Sequence, residues 1–225
     1  MHVFYSKDVL LGMDALLADR VDRRQSKGYA GGVSGCRGGH DGDCGKQVGH
    51  DTRRRLYIIA TYDENGVPNA MNAAWGVQCG EGEIAFFLGT HKTTENLKAT
   101  GAFTVSFGTA DTVEISDYFG IATGSKVNKI EQAGVHVHKS AHVDAPVIEE
   151  YPLTLECTVK LFDEEHGLLV GKVVAEQADE SILTDGHVDL GKLRPIIFDP
   201  SVNGYRVIGE QVGTAWHDGL GLMKK

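Results

Sequence analysis

The sequence predicts a mainly β protein, a barrel of short strands with Greek-key connections and a few peripheral helices. Three observations lead there. Short apolar or alternating runs recur at regular spacing between turn residues. Asn65-Gly66, the strongest short-range hairpin signal, sits between two such runs. No Gly-x-Gly-x-x-Gly follows a strand and no P-loop is present, which argues against a Rossmann or NTPase fold.

Taken in order, the chain begins with Val9, Leu10, Leu11, Met13, Leu16 and Leu17, a spacing that fits a short amphipathic helix or an irregular lead-in. Residues 21–52 are polar, glycine-punctuated and arginine-bearing. Too few apolar residues stand there to offset the entropy of ordering, so the stretch reads as a mobile loop. It contains Cys36, His40, Cys44 and His50, all suited to zinc, though the spacing is not that of a common zinc site. The organisation that follows is an irregular segment over 1–55 and a folded domain over 56–225.

Leu56 to Tyr62 reads as a strand, and Pro68 to Gly76 as its antiparallel return. The return is poor in bulk: Ala70, Ala73, Ala74 and Gly76 carry little side chain, as where another group must approach the backbone. An edge strand packed under a helix fits the same residues. Trp75 closes the run with a large amphipathic ring. Ile84 to Leu88 is a buried strand ended by Gly89. The next helix starts with Thr93 or Thr94 as N-cap, carries Glu95 in its first turn and ends at Thr100 before a Gly101 cap. A helix start is a ready anion site; Lys92 adds a full charge, and Thr90, Thr93 and Thr94 add hydroxyls. Read without a ligand, the same residues are a helix cap and a solvated lysine. Together Asn69 to Asn96 suit a ligand with a flat ring at one end and an anion at the other.

Further on, Phe103 to Phe107 is a strand with Phe103, Val105 and Phe107 on one face, and residues 111–120 suit a helix. His136 and His138 fall on one strand face, with a spacing able to share a metal. Leu153 to Leu161 alternates cleanly and turns Cys157 inward as an inert thiol, whereas Cys79 lies near the proposed ligand stretch with no activating neighbour. Strands are expected over 165–174, from Pro195 to Phe198 and from Tyr205 to Ile208, and the Gly-rich tail after Gly213 is expected to order against a partner.

Composition bounds the function. The chain has 225 residues, 41% hydrophobic and 24% charged, with a formal net charge of −9. Such a balance repels nucleic acid and anionic membranes, and an anionic cofactor then needs a local cation such as Lys92. No apolar run is long enough to span a membrane and no signal-peptide layout opens the chain, so the cytosol is the expected compartment, with its four cysteines reduced.

The run from Tyr62-Asp63-Glu64-Asn65-Gly66 through Asn69-Ala70-Met71-Asn72-Ala73-Ala74-Trp75 resembles the opening signature of the flavin reductase-like, FMN-binding split-barrel family, on its flavoredoxin side. The likeness continues through Gly101 to Ser106, Asp117 to Gly120, Gly124 to Lys129, Ala145 to Pro152, Val170 to Val173 and Tyr205 to Gly209. It implies a split β-barrel, a homodimer and FMN near the subunit interface. It also implies cofactor contacts by Asn69, Met71, Asn72, Ala73, Ala74 and Trp75 at the ring, and by Thr90, His91, Lys92, Thr93 and Thr94 at the phosphate, with Ser106 and Lys126 as further contacts. His166, five residues before Gly171 as the family histidine is, would lie near flavin and nicotinamide, although Glu164-Glu165 replace the family's Gly-Asp. The activity implied is NAD(P)H-dependent FMN reduction. An FMN electron carrier reduced by a partner protein fits the same motifs, and a zinc protein built on Cys36 to His50 is a third reading.

Overall fold

The computed structural model of the chain describes residues 54–223. The segment 1–53 lies outside the described residues, and with it the expected N-terminal helix, the glycine-rich loop and the Cys36, His40, Cys44 and His50 set. In chain order the elements are β1 (Arg54–Arg55), β2 (Tyr57–Tyr62), β3 (Pro68–Ala73), β4 (Gly76–Gly80), β5 (Glu83–Phe87), α1 (Lys92–Thr100), β6 (Ala102–Phe107), α2 (Val113–Ile121), α3 (Lys129–Ala133), β7 (Val137–Lys139), β8 (Pro146–Ile148), β9 (Leu153–Asp163), β10 (Leu168–Ala178), β11 (Leu183–Thr184), β12 (His187–Val188), α4 (Leu190–Leu193), β13 (Ile196–Asp199) and β14 (Gly204–Val207). Among the described residues the first strand pair sets Arg54 opposite Phe198.

Seven strands form one antiparallel sheet in the order β3-β2-β6-β9-β10-β5-β4. The two edges, β3 and β4, are consecutive in the chain and separated only by Ala74 and Trp75. Laid flat, seven strands at the usual spacing would put those edges roughly 29 Å apart. Three peptide steps reach about 11 Å. The sheet therefore curls until its edges approach, and Ala74-Trp75 bridges the open seam of a split barrel. The expected single return strand to Gly76 is thus two strands, broken where the chain crosses from one edge to the other. Gly76 sits at that corner: a Cβ there would lie 2.4 Å from Phe86 Cε1 and 2.9 Å from Tyr57 Cε2.

The barrel interior is filled by Tyr57, Ile59, Ile84, Phe86, Leu97, Phe103, Val105, Cys157 and Leu169. Tyr57 meets Phe86 edge-on at 5.4 Å between centroids. Cys157 points inward as expected, and burial pushes its thiol up to about 12. The other face of β2 is buried too: Ile58 and Ala60 pack with Ala70, Phe119, Ile130, Ile148 and Tyr151. That two-sided burial explains why Tyr57 to Ala60 is apolar without alternation. It also fixes α2 and α3 over β3, where the ligand stretch lies.

The hairpin turn is held by Asp63, whose Oδ1 accepts from the Asn65 and Val67 amides, each at 2.9 Å. Gly66 adopts φ 76°, which requires glycine. His136 and His138 face separate carboxylates, Glu150 at 2.9 Å and Glu149 at 3.2 Å, so each is paired singly. Among the described residues no group of three or more metal-ligating side chains occurs, and no helix is long and apolar enough to cross a membrane.

Candidate functional site

A cleft of about 280 Å³ opens beside the barrel seam, lined by Asn69, Met71 and Asn72 of β3, His91, Lys92 and Thr93 at the start of α1, Phe119 to Gly124, and Lys129. Among the described residues β3 is an edge strand whose pairing is with β2, which leaves its other side as an edge that a ligand could meet.

The start of α1 differs from the sequence reading. The N-cap is His91, in extended conformation, and the helix begins at Lys92. Thr94 lies in the first turn, where its hydroxyl accepts from the His91 amide at 2.9 Å and donates to the His91 carbonyl at 2.7 Å. The side chain of Thr94 is therefore spent on the cap, and a helix start leaves its first amides without partners inside the helix. Gly101 caps the other end at φ 65°, as expected.

One buried contact locks this start onto β3. Asn69 Nδ2 donates to Thr93 Oγ1 at 2.8 Å. Gly124 presses its backbone on the same asparagine: a Cβ there would lie 2.1 Å from Asn69 Oδ1. Asn72 is held by α2, its Nδ2 donating to the Ser116 carbonyl at 3.1 Å. α2 is anchored in turn by Ser116 Oγ against Tyr151 Oη at 3.0 Å and by Tyr205 Oη donating to Asp117 at 2.7 Å. Burial and the Asp117 carboxylate together raise the Tyr205 phenol to about 12.

The electrostatics of the cleft are cationic. Lys92 faces Asp63 across 3.8 Å, a loose pair on partly exposed side chains. Lys129 is 4% exposed. Its Nζ donates to the Phe119 carbonyl at 3.1 Å, and burial lowers its pKa to about 8.

Of the residues expected from the sequence, Asn69, Met71, Asn72, His91, Lys92 and Thr93 come together in this cleft. Ala73 is buried at the end of β3, and Ala74 and Trp75 form the seam bridge, with Trp75 largely exposed. Thr90 is exposed in the loop before α1. Ser106 does not line the cleft: it is buried inside the sheet and bonded to Thr154 Oγ1 at 2.8 Å. Lys126 is exposed in the turn after α2. His166 stands in the turn between β9 and β10, exposed, with Nδ1 2.8 Å from Asp163 Oδ2. That turn touches the approach to α1, since Leu88 donates to the Gly167 carbonyl at 2.8 Å.

Sequence reasoning missed Lys129 and the Phe119 to Gly124 wall. A signal existed for the lysine. Asn128 caps α3 by accepting from the Glu131 amide, so Lys129 and Ala133 fall one turn apart on the face that packs inward.

The fold and the cleft define a class: a split barrel with a cleft beside its seam, cationic and built on a helix start. Residues 50–193 match the flavin reductase like domain, and the chain belongs to that family. It is similar to the flavoredoxin of Desulfovibrio vulgaris (Miyazaki F), at 32% identity over 78% of this chain and 99% of that one, with a TM-score of 0.73. It is also similar to the flavoredoxin from Methanosarcina acetivorans, at 25% identity over 82% and 100% of the two chains, TM-score 0.72. Nitrilotriacetate monooxygenase component B from Bacillus cereus shares the fold, at 20% identity over 74% and 90%, TM-score 0.64. No curated protein matches the chain.

Proposed function

We propose that the protein is an FMN-binding oxidoreductase in which hydride from NADH or NADPH reduces the flavin. The observation that carries this is the convergence of β3, the start of α1 and Lys129 on one cleft. The donor set fits the cofactor: amides at a helix start, the Thr93 hydroxyl and two lysines suit a phosphate monoester. The bulk-free edge strand suits the approach of a flat ring. FMN, when bound, supplies two-electron chemistry that no side chain here provides.

The chain's own residues bind, orient and polarise. Lys92 and the first-turn amides of α1 hold the phosphate. The free backbone edge of β3 around Asn72 offers donors to the pyrimidine side of the ring, where negative charge develops on reduction. Asn69 keeps the helix start in register with that edge through its bond to Thr93. His166, oriented by Asp163, is the candidate for contact with the nicotinamide.

A homodimer is the proposed working unit. Val77, Phe87 and Leu161 are exposed on the outer side of β4, β5 and β9, sharing one face by register. The tail over 209–223 is exposed throughout. Both are surfaces that a second copy would cover. A cytosolic setting is proposed with it.

The competing reading is an FMN electron carrier reduced by a partner protein. The exposed position of His166, off the cleft lining, favours it. Anaerobic mixing of FMN-loaded protein with NADH or NADPH separates the two. Bleaching of the flavin band within seconds supports the reductase. A band that persists with both nicotinamides and bleaches only with a chemical reductant refutes it in favour of the carrier.

A further inference from the structure

The small sheet β1-β13-β14 reaches the wall of the cleft through Tyr205. This residue stands on β14 opposite Phe198 of β13 and packs on that ring at 6.0 Å between centroids. It lies beyond residues 50–193, which match the family's domain. Its Oη donates to Asp117 Oδ1 of α2 at 2.7 Å. The neighbouring Ser116 accepts from Asn72 Nδ2 through its carbonyl at 3.1 Å. A hydrogen bond from the Asn72 side chain also acts on the Tyr205 phenol, against the raising effects of burial and Asp117. An amide nitrogen has two hydrogens, so these two bonds commit both and keep the Asn72 amide from turning over. The α2 backbone presses on the same residue: a Cβ on Gly120 would lie 3.3 Å from Asn72 Cβ. Asn72 and the Phe119 to Gly124 segment both line the cleft, so a small shift of α2 moves two of its sides together.

We propose that Tyr205 is a positioning residue for the ring end of the cleft: its bond to Asp117 pins α2, and α2 in turn holds the Asn72 amide and the wall beside it. The proposal rests on the FMN reading above. Tyr205 touches no ligand in this account and acts through Asp117 and Asn72. Loss of one hydrogen bond to a carboxylate, passed to the ring contacts, corresponds to about a fivefold loss of affinity or more. The loss falls on the ring end, so FMN and riboflavin share it, whereas a change at Lys92 separates the two ligands. Because Tyr205 acts through Asn72, the two residues are coupled, and removing both costs no more than removing Asn72 alone.

The test is a double-mutant cycle on the full chain, read by fluorescence titration with FMN and with riboflavin. Its members are wild type, Tyr205→Phe, Asn72→Ala and the double variant. Tyr205→Phe keeps the ring against Phe198 and removes only the hydroxyl. Expected are about a fivefold loss for both ligands in Tyr205→Phe, and no further loss when it is added to Asn72→Ala. Asp117→Ala should reproduce the loss, and Asp117→Asn, which keeps an oxygen for the phenol, should restore most of the affinity; this pair decides the question if Tyr205→Phe does not fold. Unchanged affinity in Tyr205→Phe overturns the proposal, as does a loss that adds in full to that of Asn72→Ala, since a merely structural hydroxyl would lower the Tm without coupling to Asn72. A loss confined to FMN also overturns it, because the effect would then lie at the phosphate. Failure of the wild-type chain to bind FMN refutes the FMN reading itself, and the proposal with it.

Discussion

Replacing Lys129 with Met should stabilise the ligand-free protein at neutral pH. Burial lowers this lysine from 10.5 to about 8. At about 1.36 kcal/mol per unit, keeping it charged costs the fold roughly 3 kcal/mol below pH 8. Methionine removes that cost and fills the space with a flexible apolar chain. It forfeits the bond to the Phe119 carbonyl, worth about 1 kcal/mol. The net gain is about 2 kcal/mol, or roughly 4–8 °C in Tm for a domain of this size. The pH dependence has a definite sign. The folded pKa is below the unfolded one, so the wild type gains stability as pH rises from about 8 to 10.5. The advantage of the variant is therefore full below pH 8 and gone near pH 10.5. Scanning calorimetry of both proteins without ligand at pH 7 and pH 10.5 reads this directly. A variant less stable than wild type at pH 7, or a difference unchanged between the two pH values, would refute the claim that burial strains this charge.

Two further substitutions probe the frame of the site. Gly76→Ala places a methyl 2.4 Å from Phe86 Cε1 at the barrel corner, so urea unfolding should show a loss of about 1–3 kcal/mol. Gly124→Ala places one 2.1 Å from Asn69 Oδ1, which displaces the bond to Thr93; flavin fluorescence titration should show FMN bound at least about tenfold more weakly, with a smaller loss of stability than at Gly76.

The local features of the fold were legible in the sequence. Asn65-Gly66 marked the hairpin, Gly101 marked the end of α1, and the alternation from Leu153 marked a central strand with Cys157 inside. The break at Ala74-Trp75 was not legible, because a crossing between opposite sheet edges is a property of closure and not of local pattern. The cap of α1 was misread for a related reason. Thr93 and Thr94 are common caps, but here tertiary contacts outrank propensity: Thr93 is bonded to Asn69, and Thr94 supports His91 from inside the turn. At the site, the small residues of β3 and the charge of Lys92 stood out because each is unusual for its place. Lys129 did not, since its one signal is the place after the Asn128 cap, and only packing shows that Lys126 is exposed and Lys129 is buried. Ser106 was drawn in by strand resemblance alone, and its hydroxyl is taken up by Thr154 on the neighbouring strand β9.

The most direct test of the account is a fluorescence titration of the purified chain and its Lys92→Ala variant with FMN and with riboflavin at pH 7. The account predicts that the wild type binds FMN more tightly than riboflavin and that the variant loses affinity for FMN while riboflavin binding is nearly unchanged. Equal losses for both ligands, or no preference for FMN in the wild type, would contradict a phosphate held at the start of α1.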